Sequence, residues 1–139
     1  MPIFLSIIII LSSMISGLQG LNQTCLRKIL AYSSINHVSW MLSALLNSST
    51  TWFIYFITYC IINFNIIIIF STYKIFFIKQ LSNLFSYNKK IKFFFMLNFL
   101  SLGGLPPFLG FFPKWLTVNM MVENKFYLLT LMLIIFTLI

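Results

Sequence analysis

The sequence has almost no acidic residues and few of the side chains that bind metals or form redox sites. Glu123 is the one acid among 139 residues, and the chain has one histidine and two cysteines, Cys25 and Cys60, far apart. Metal and iron–sulfur sites need several ligands at suitable spacings, so this chain offers little from which to build one. We interpret both cysteines as small buried thiols without a redox role.

Charged residues of either sign are scarce, whereas hydrophobic residues are abundant. Charged residues make up 7% of the sequence and hydrophobic residues 60%, and the mean hydropathy is +1.02. A soluble domain of this size needs a more polar surface, so the composition indicates an integral membrane protein. The net charge of +8 could suggest nucleic-acid binding. The cations of the chain, however, lie mostly in the connections between apolar runs, which favours a role in membrane orientation. We therefore expect no nucleic-acid partner.

Apolar runs along the chain predict an all-α helical bundle in one membrane domain. A signal peptide is the alternative for the first run, but no cation precedes it and further runs follow. At 1.5 Å per residue the last run covers about 21 Å of a hydrocarbon core about 30 Å thick. We therefore expect the chain to be a fragment that ends within a span. The predicted spans are approximately 2–20, 29–46, 52–70, 91–121 and 126–139.

The distribution of cations predicts how the spans are oriented. If the spans alternate, the first and third connections share one side of the membrane, and the second and fourth share the other. The second and fourth connections carry Lys125, opposed by Glu123. This asymmetry is typical of the positive-inside pattern and favours counting 91–121 as one crossing. The seven cations of the first and third connections are Arg27, Lys28, Lys74, Lys79, Lys89, Lys90 and Lys92.

The fourth span contains residues that a regular helix does not accommodate. Glycine is a poor helix former, and proline lacks a backbone donor and clashes with the preceding turn. Broken backbone at bilayer depth survives where protein or a watery cavity covers it. The sequence therefore predicts a discontinuous transmembrane helix, broken near 103–112. The residues assigned to the break are Gly103, Gly104, Pro106, Pro107 and Pro113.

Lys114, just after the break, is the main candidate for a proton station. A lysine at bilayer depth costs about 2.5–3.5 kcal/mol on insertion scales, so an idle one is disfavoured. Half-helices that meet at an intramembrane charge are a common way to build an ion site. The alternative is a lysine that extends its amine to the interface. His37 is a possible proton relay, or else a hydrogen-bonded packing residue.

Further polar side chains follow helical stripes in the second and third spans. A polar stripe in lipid must face protein or water. These residues could support water wires, or they could bond neighbouring helices together. The secondary candidates are Ser33, Ser34, Tyr55, Tyr59 and Asn63. In the first span, Ser13, Gly17 and Gly20 share one face and predict close helix packing.

Two motifs carry a resemblance to the subunit 2 family of NADH dehydrogenase, antiporter-like subunits of mitochondrial respiratory complex I. The first motif is Gly20-Leu21-Asn22-Gln23-Thr24, with Leu26-Arg27-Lys28, Ala31-Tyr32-Ser33-Ser34-Ile35, His37 and Trp40-Met41. The second is Ser101-Leu102-Gly103-Gly104-Leu105-Pro106-Pro107, with Gly110-Phe111 and Pro113-Lys114-Trp115. The resemblance extends over essentially the whole chain but over only the second half of the family's fold.

The resemblance implies the second repeat of an inverted-repeat antiporter-like fold in a core membrane-arm subunit. Such a subunit contributes to proton translocation coupled to electron transfer from NADH to ubiquinone, in the mitochondrial inner membrane beside other membrane-arm subunits. It implies no cofactor in this chain, with NADH, FMN, Fe–S clusters and ubiquinone bound by other subunits. Two alternatives stay open: a free-standing cation/proton antiporter and a purely structural subunit.

Overall fold

The computed structural model describes residues 2–139, which form seven α-helices and contain no β-strand. The all-α prediction is confirmed for this part of the chain. The third connection contains a short helix of its own, α4, and the predicted fourth span comprises two helices, α5 and α6. The helices are α1 (Pro2–Gly20), α2 (Leu26–Asn47), α3 (Ser49–Tyr73), α4 (Ile78–Tyr87), α5 (Lys89–Gly103), α6 (Phe111–Glu123) and α7 (Tyr127–Leu138).

Helices α2 and α3 extend beyond the apolar runs from which they were predicted. Polar residues at the ends of the apolar runs are still helical, and the helices end only at the capping residues beyond them. Ser48 lies between the two helices in an extended conformation, and its hydroxyl accepts a hydrogen bond from the backbone N–H of Thr51. Such a cap satisfies one of the first N–H groups of a helix, which have no partner within it. Hydropathy marks the part of a helix that suits the bilayer, and capping residues mark its ends.

Contacts between connections define the two ends of the bundle. At one end, the backbone N–H of Leu26 donates to the carbonyl of Phe76 (3.0 Å), and that of Ile78 donates to Thr24 (3.3 Å). At the other end, Nδ2 of Asn124 donates to Oδ1 of Asn47 (2.7 Å). The first and third connections therefore lie together, as do the second and fourth, as the distribution of cations predicts.

The core lies where α1, α2, α3, α6 and α7 meet. Ser13 of α1 is fully buried, and Gly17 brings α1 against the backbone of α7 at Phe136. A Cβ at Gly17 would lie 3.1 Å from that carbonyl oxygen, so the predicted small-residue face is confirmed as a packing face. The larger members of the core are Ile9, Trp40, Met41, Tyr55, Met121, Leu129 and Leu133.

The outward faces of the helices are predominantly apolar, as a bilayer requires. Helices α1, α2 and α3 are each long and apolar enough to cross a membrane. Cys60 lies exposed on α3 and Cys25 is half-buried, so the interpretation of both as buried thiols is wrong. The reason is that an apolar environment outside the bundle suits a thiol as well as the interior does. Helix α4 is amphipathic and contains no fully buried residue, which suits a position at the membrane interface.

Candidate functional site

The chain between α5 and α6 turns sharply at a glycine. Gly104 adopts a left-handed conformation (φ +81°), and its N–H donates to Ser101 (3.1 Å), while the N–H of Leu105 donates to Leu100 (3.4 Å). This pair of bonds is a Schellman motif, which ends a helix and satisfies its last carbonyls. Glycine adopts the left-handed conformation without the steric penalty of a Cβ. Helix α5 therefore ends at Gly103 because of Gly104.

The prolines assigned to the break occupy two different positions. Pro106 and Pro107 lie exposed in the connection between α5 and α6, where no helical hydrogen bond is required of them. Pro113 instead lies buried as the third residue of α6, so its assignment to the break is wrong. The first N–H groups of a helix have no partner within the helix, and proline therefore costs little there.

Lys114 lies in the first turn of α6 and its side chain points back to the end of α5. Its Nζ donates to the carbonyl oxygen of Gly103 (3.2 Å) and lies 5.9 Å from the ring of Trp40. The side chain is half-buried. The ammonium group thus lies between the positive end of the α6 dipole and the negative end of the α5 dipole. Opposed electrostatic contributions therefore act on a group that can exchange a proton.

His37 lies buried on α2, close to the end of α5 and the start of α6. Its Nδ1 is 2.8 Å from the hydroxyl oxygen of Tyr55, and its ring packs on Tyr59 with 4.8 Å between ring centroids. A small cavity beside these residues is also lined by Gly110 and Pro113. His37 is therefore both hydrogen-bonded to α3 and placed beside the start of α6. The hypotheses of a packing residue and of a relay both fit this position.

The other secondary candidates differ in what their side chains do. The hydroxyl of Ser33 donates to Leu30 (2.8 Å) and that of Ser34 to Ala31 (2.6 Å), so these bonds stay within α2. Asn63 lies half-buried on α3, two turns after Tyr55. Of the set, Tyr55 and Tyr59 are the residues that contact His37.

Several residues that shape the site had no role assigned to them from the sequence. Gly110 is buried so closely against α5 that a Cβ there would lie 1.7 Å from the carbonyl oxygen of Ser101. Trp40 is 2% exposed and lies one turn after His37 on α2. Buried Asn98 and Ser101 share one face of α5. Their spacing of three residues places them on one helical face and could have been recognised in the sequence. Nothing in the local sequence marks Gly110 as a close backbone contact.

We expect Tyr55→Phe to destabilise the protein, because it leaves Nδ1 of His37 buried without its partner. The loss of a buried hydrogen bond of this kind costs about 1–3 kcal/mol. The midpoint of thermal unfolding in detergent measures the effect. Tyr73→Phe, which alters an exposed tyrosine at the end of the same helix, is the matched control and should have little effect. Equal midpoints for the two variants would show that the contact contributes nothing to stability.

Comparison with known proteins places this arrangement in a family. The profile of the family described as "NADH:quinone oxidoreductase/Mrp antiporter, TM" matches residues 1–139. The chain belongs to this family. It is similar to NADH-ubiquinone oxidoreductase chain 2 of Aedes aegypti, with 52% identity over 122 residues, or 87% of the chain. The same-named protein of Anopheles gambiae is 49% identical over 92% of the chain, and that of Locusta migratoria 45% identical over 99%.

The chain covers only part of each of these relatives. It spans 36% of the Aedes aegypti protein, 38% of the Anopheles gambiae protein and 40% of the Locusta migratoria protein. The chain therefore spans less than half the length of each of these relatives. Both motifs that suggested the family lie within the matched region.

Proposed function

We propose that this chain is part of a core membrane-arm subunit of NADH:ubiquinone oxidoreductase, the respiratory complex I. In this role it contributes to proton translocation coupled to electron transfer from NADH to ubiquinone. The family membership and the names of the relatives support the proposal. We interpret α5 and α6 as one interrupted crossing in the second repeat of an antiporter-like fold.

One observation supports the proton-translocating role above all others, namely the position of the Lys114 amine. It is held on the Gly103 carbonyl at the gap between two helices, beside α2. A lysine that only extended to the interface would direct its amine away from the bundle. Lys114 instead directs its amine to the end of α5. Such a group can bind or release a proton when a nearby charge moves, which is the task of a proton station.

In this role, electron transfer takes place in other subunits, and this chain converts their electrostatic or conformational signal into proton movement. NADH, FMN, Fe–S clusters and ubiquinone are expected on those partners, and the other membrane-arm subunits are expected beside the bundle. The location proposed is the mitochondrial inner membrane, as a multi-pass protein. His37, hydrogen-bonded to Tyr55 beside the start of α6, is proposed as the relay next to Lys114.

The proposal is tested with Lys114→Met in the full-length subunit, assembled in its complex and reconstituted into vesicles. Methionine has a similar length but no proton to exchange, so we expect proton translocation to fall at least about tenfold. Lys79→Met removes an exposed cation of α4 and is the matched control. Proton uptake and NADH oxidation are measured in the same vesicles.

Two results would contradict the proposal. Full proton translocation by a normally assembled Lys114→Met complex would reduce this chain to a structural subunit. Sodium-dependent proton transport by the subunit alone would favour a free-standing cation/proton antiporter.

A further inference from the structure

Trp40 contacts the proposed proton station from a different helix. It lies on α2 and is 2% exposed, and its ring is 5.9 Å from Nζ of Lys114. The two residues line the same cavity of about 280 Å³, together with Gly103 and Gly104. A cation within about 6 Å of an aromatic face is attracted by the ring, and tryptophan attracts it most strongly.

The indole nitrogen of Trp40 is a reason to look for a role beyond packing. Within residues 2–139, Nε1 of Trp40 is buried and has no hydrogen-bond partner. A buried donor without a partner is costly, so the indole nitrogen itself adds nothing favourable at this position. The ring fills space in the core and, in addition, attracts the Lys114 ammonium through its face.

Gly104 completes the surroundings of the amine. A Cβ at this position would lie 2.8 Å from Cδ and 3.1 Å from Nζ of Lys114. The lysine side chain thus passes directly over the bare Cα of Gly104 on its way to the Gly103 carbonyl. The ring, the carbonyl and the glycine surround the amine on three sides and favour one position for it.

We propose that Trp40 is a positioning residue that holds the Lys114 ammonium over the Gly103 carbonyl through its ring face. This inference rests on the proposed function of Lys114. The bound position favours the protonated amine at the end of α5, and release of the proton frees the side chain from the ring. Trp40 thereby ties the protonation of Lys114 to the contact between α2 and α6.

The test uses Trp40→Phe in the full-length subunit within the assembled complex. Phenylalanine keeps an aromatic ring with a weaker and more distant face, and we expect proton translocation to fall about threefold, as the loss of part of a cation–π contact predicts. Trp52→Phe is the matched control, because Trp52 stacks on Phe56 of its own helix, 5.6 Å between centroids. Rates are normalised to the amount of assembled complex. If Trp40→Phe does not assemble, Trp40→Tyr replaces it under the same criterion.

A double-mutant cycle separates positioning from packing. If Trp40 acts through Lys114, adding Trp40→Phe to Lys114→Met should cause no further loss of proton translocation. If Trp40→Phe lowers proton translocation by the same factor in the wild-type and Lys114→Met backgrounds, Trp40 has a packing role and the inference is overturned. A wild-type rate for Trp40→Phe would overturn it too.

The same experiments distinguish failure of this inference from failure of the proposed function. If Lys114→Met translocates protons normally, the proposed function is wrong and the role of Trp40 falls with it. If Lys114→Met is defective and Trp40→Phe matches Trp52→Phe, Lys114 is retained and only the role of Trp40 is rejected.

Discussion

Gly110→Ala is expected to prevent α5 and α6 from meeting in their native arrangement. A Cβ at Gly110 would lie 1.7 Å from the carbonyl oxygen of Ser101 and 2.8 Å from its carbonyl carbon. Both atoms belong to the backbone of α5, which cannot move aside as a flexible side chain can. The backbone angles of Gly110 (φ −70°, ψ −16°) suit alanine, so the expected effect is steric. We expect a loss of at least about 3 kcal/mol, at the upper end of overpacking effects.

The matched control for Gly110→Ala lies at the other end of the same connection. A Cβ at Gly103 would meet no atom within 4 Å, so Gly103→Ala should be tolerated and could gain slightly in helix propensity. The free energy of unfolding in detergent and the yield of assembled protein are the measurements. Similar values for the two variants would contradict the close backbone contact.

Lys114→Arg is expected to lower proton translocation strongly even though the positive charge is retained. A guanidinium group can still donate to the Gly103 carbonyl and lie over the Trp40 ring, so the electrostatic contacts of the site are largely preserved. Arginine does not release its proton under protein conditions, however. A station that works by exchanging a proton should therefore fail with arginine as it fails with methionine, again by at least about tenfold.

The Lys114→Arg variant distinguishes proton exchange at Lys114 from a requirement for a fixed positive charge. A loss of translocation in Lys114→Met is compatible with both roles. If a fixed charge is all that the site needs, arginine should restore translocation and methionine should not. Translocation by the arginine variant at the wild-type rate would thus reject proton exchange at Lys114. Assembly of the two variants, compared on native gels, controls for the larger volume of arginine over Gly104.

The long apolar helices and the sides of their connections could be predicted from local properties of the sequence. Apolar runs predicted α1, α2 and α3, and the side of each connection followed from the position of its cations. Gly104 marked the end of α5, because a helix stops readily where a glycine can turn left-handed. Pro113 was misplaced because proline breaks a helix interior but is accepted in a first turn. The sequence pattern does not distinguish these positions when the start of the helix is unknown.

Contacts between distant residues account for what the sequence analysis missed. The closeness of Gly110 to Ser101 depends on how two helix ends approach each other, and no periodicity reports it. The Trp40 ring lies beside Lys114 only because α2 packs against α6. In the sequence, Trp40 looks like an ordinary hydrophobic residue of its span, and nothing there indicates a contact with Lys114. The candidate residues Lys114 and His37 were accessible to sequence reasoning because a charge or an imidazole in an apolar run is unusual by itself.

The backbone pairing between Thr24–Leu26 and Phe76–Ile78 has a consequence for biogenesis. Both segments of this pair have been synthesised before α5 begins, so the pairing can close while the rest of the chain is still being translated. Helices α1, α2 and α3 can then enter the bilayer as a unit that is already tied at one end. The interrupted pair α5–α6 is synthesised later and packs on α2 and α3, which supply the protein cover that its open backbone needs in lipid.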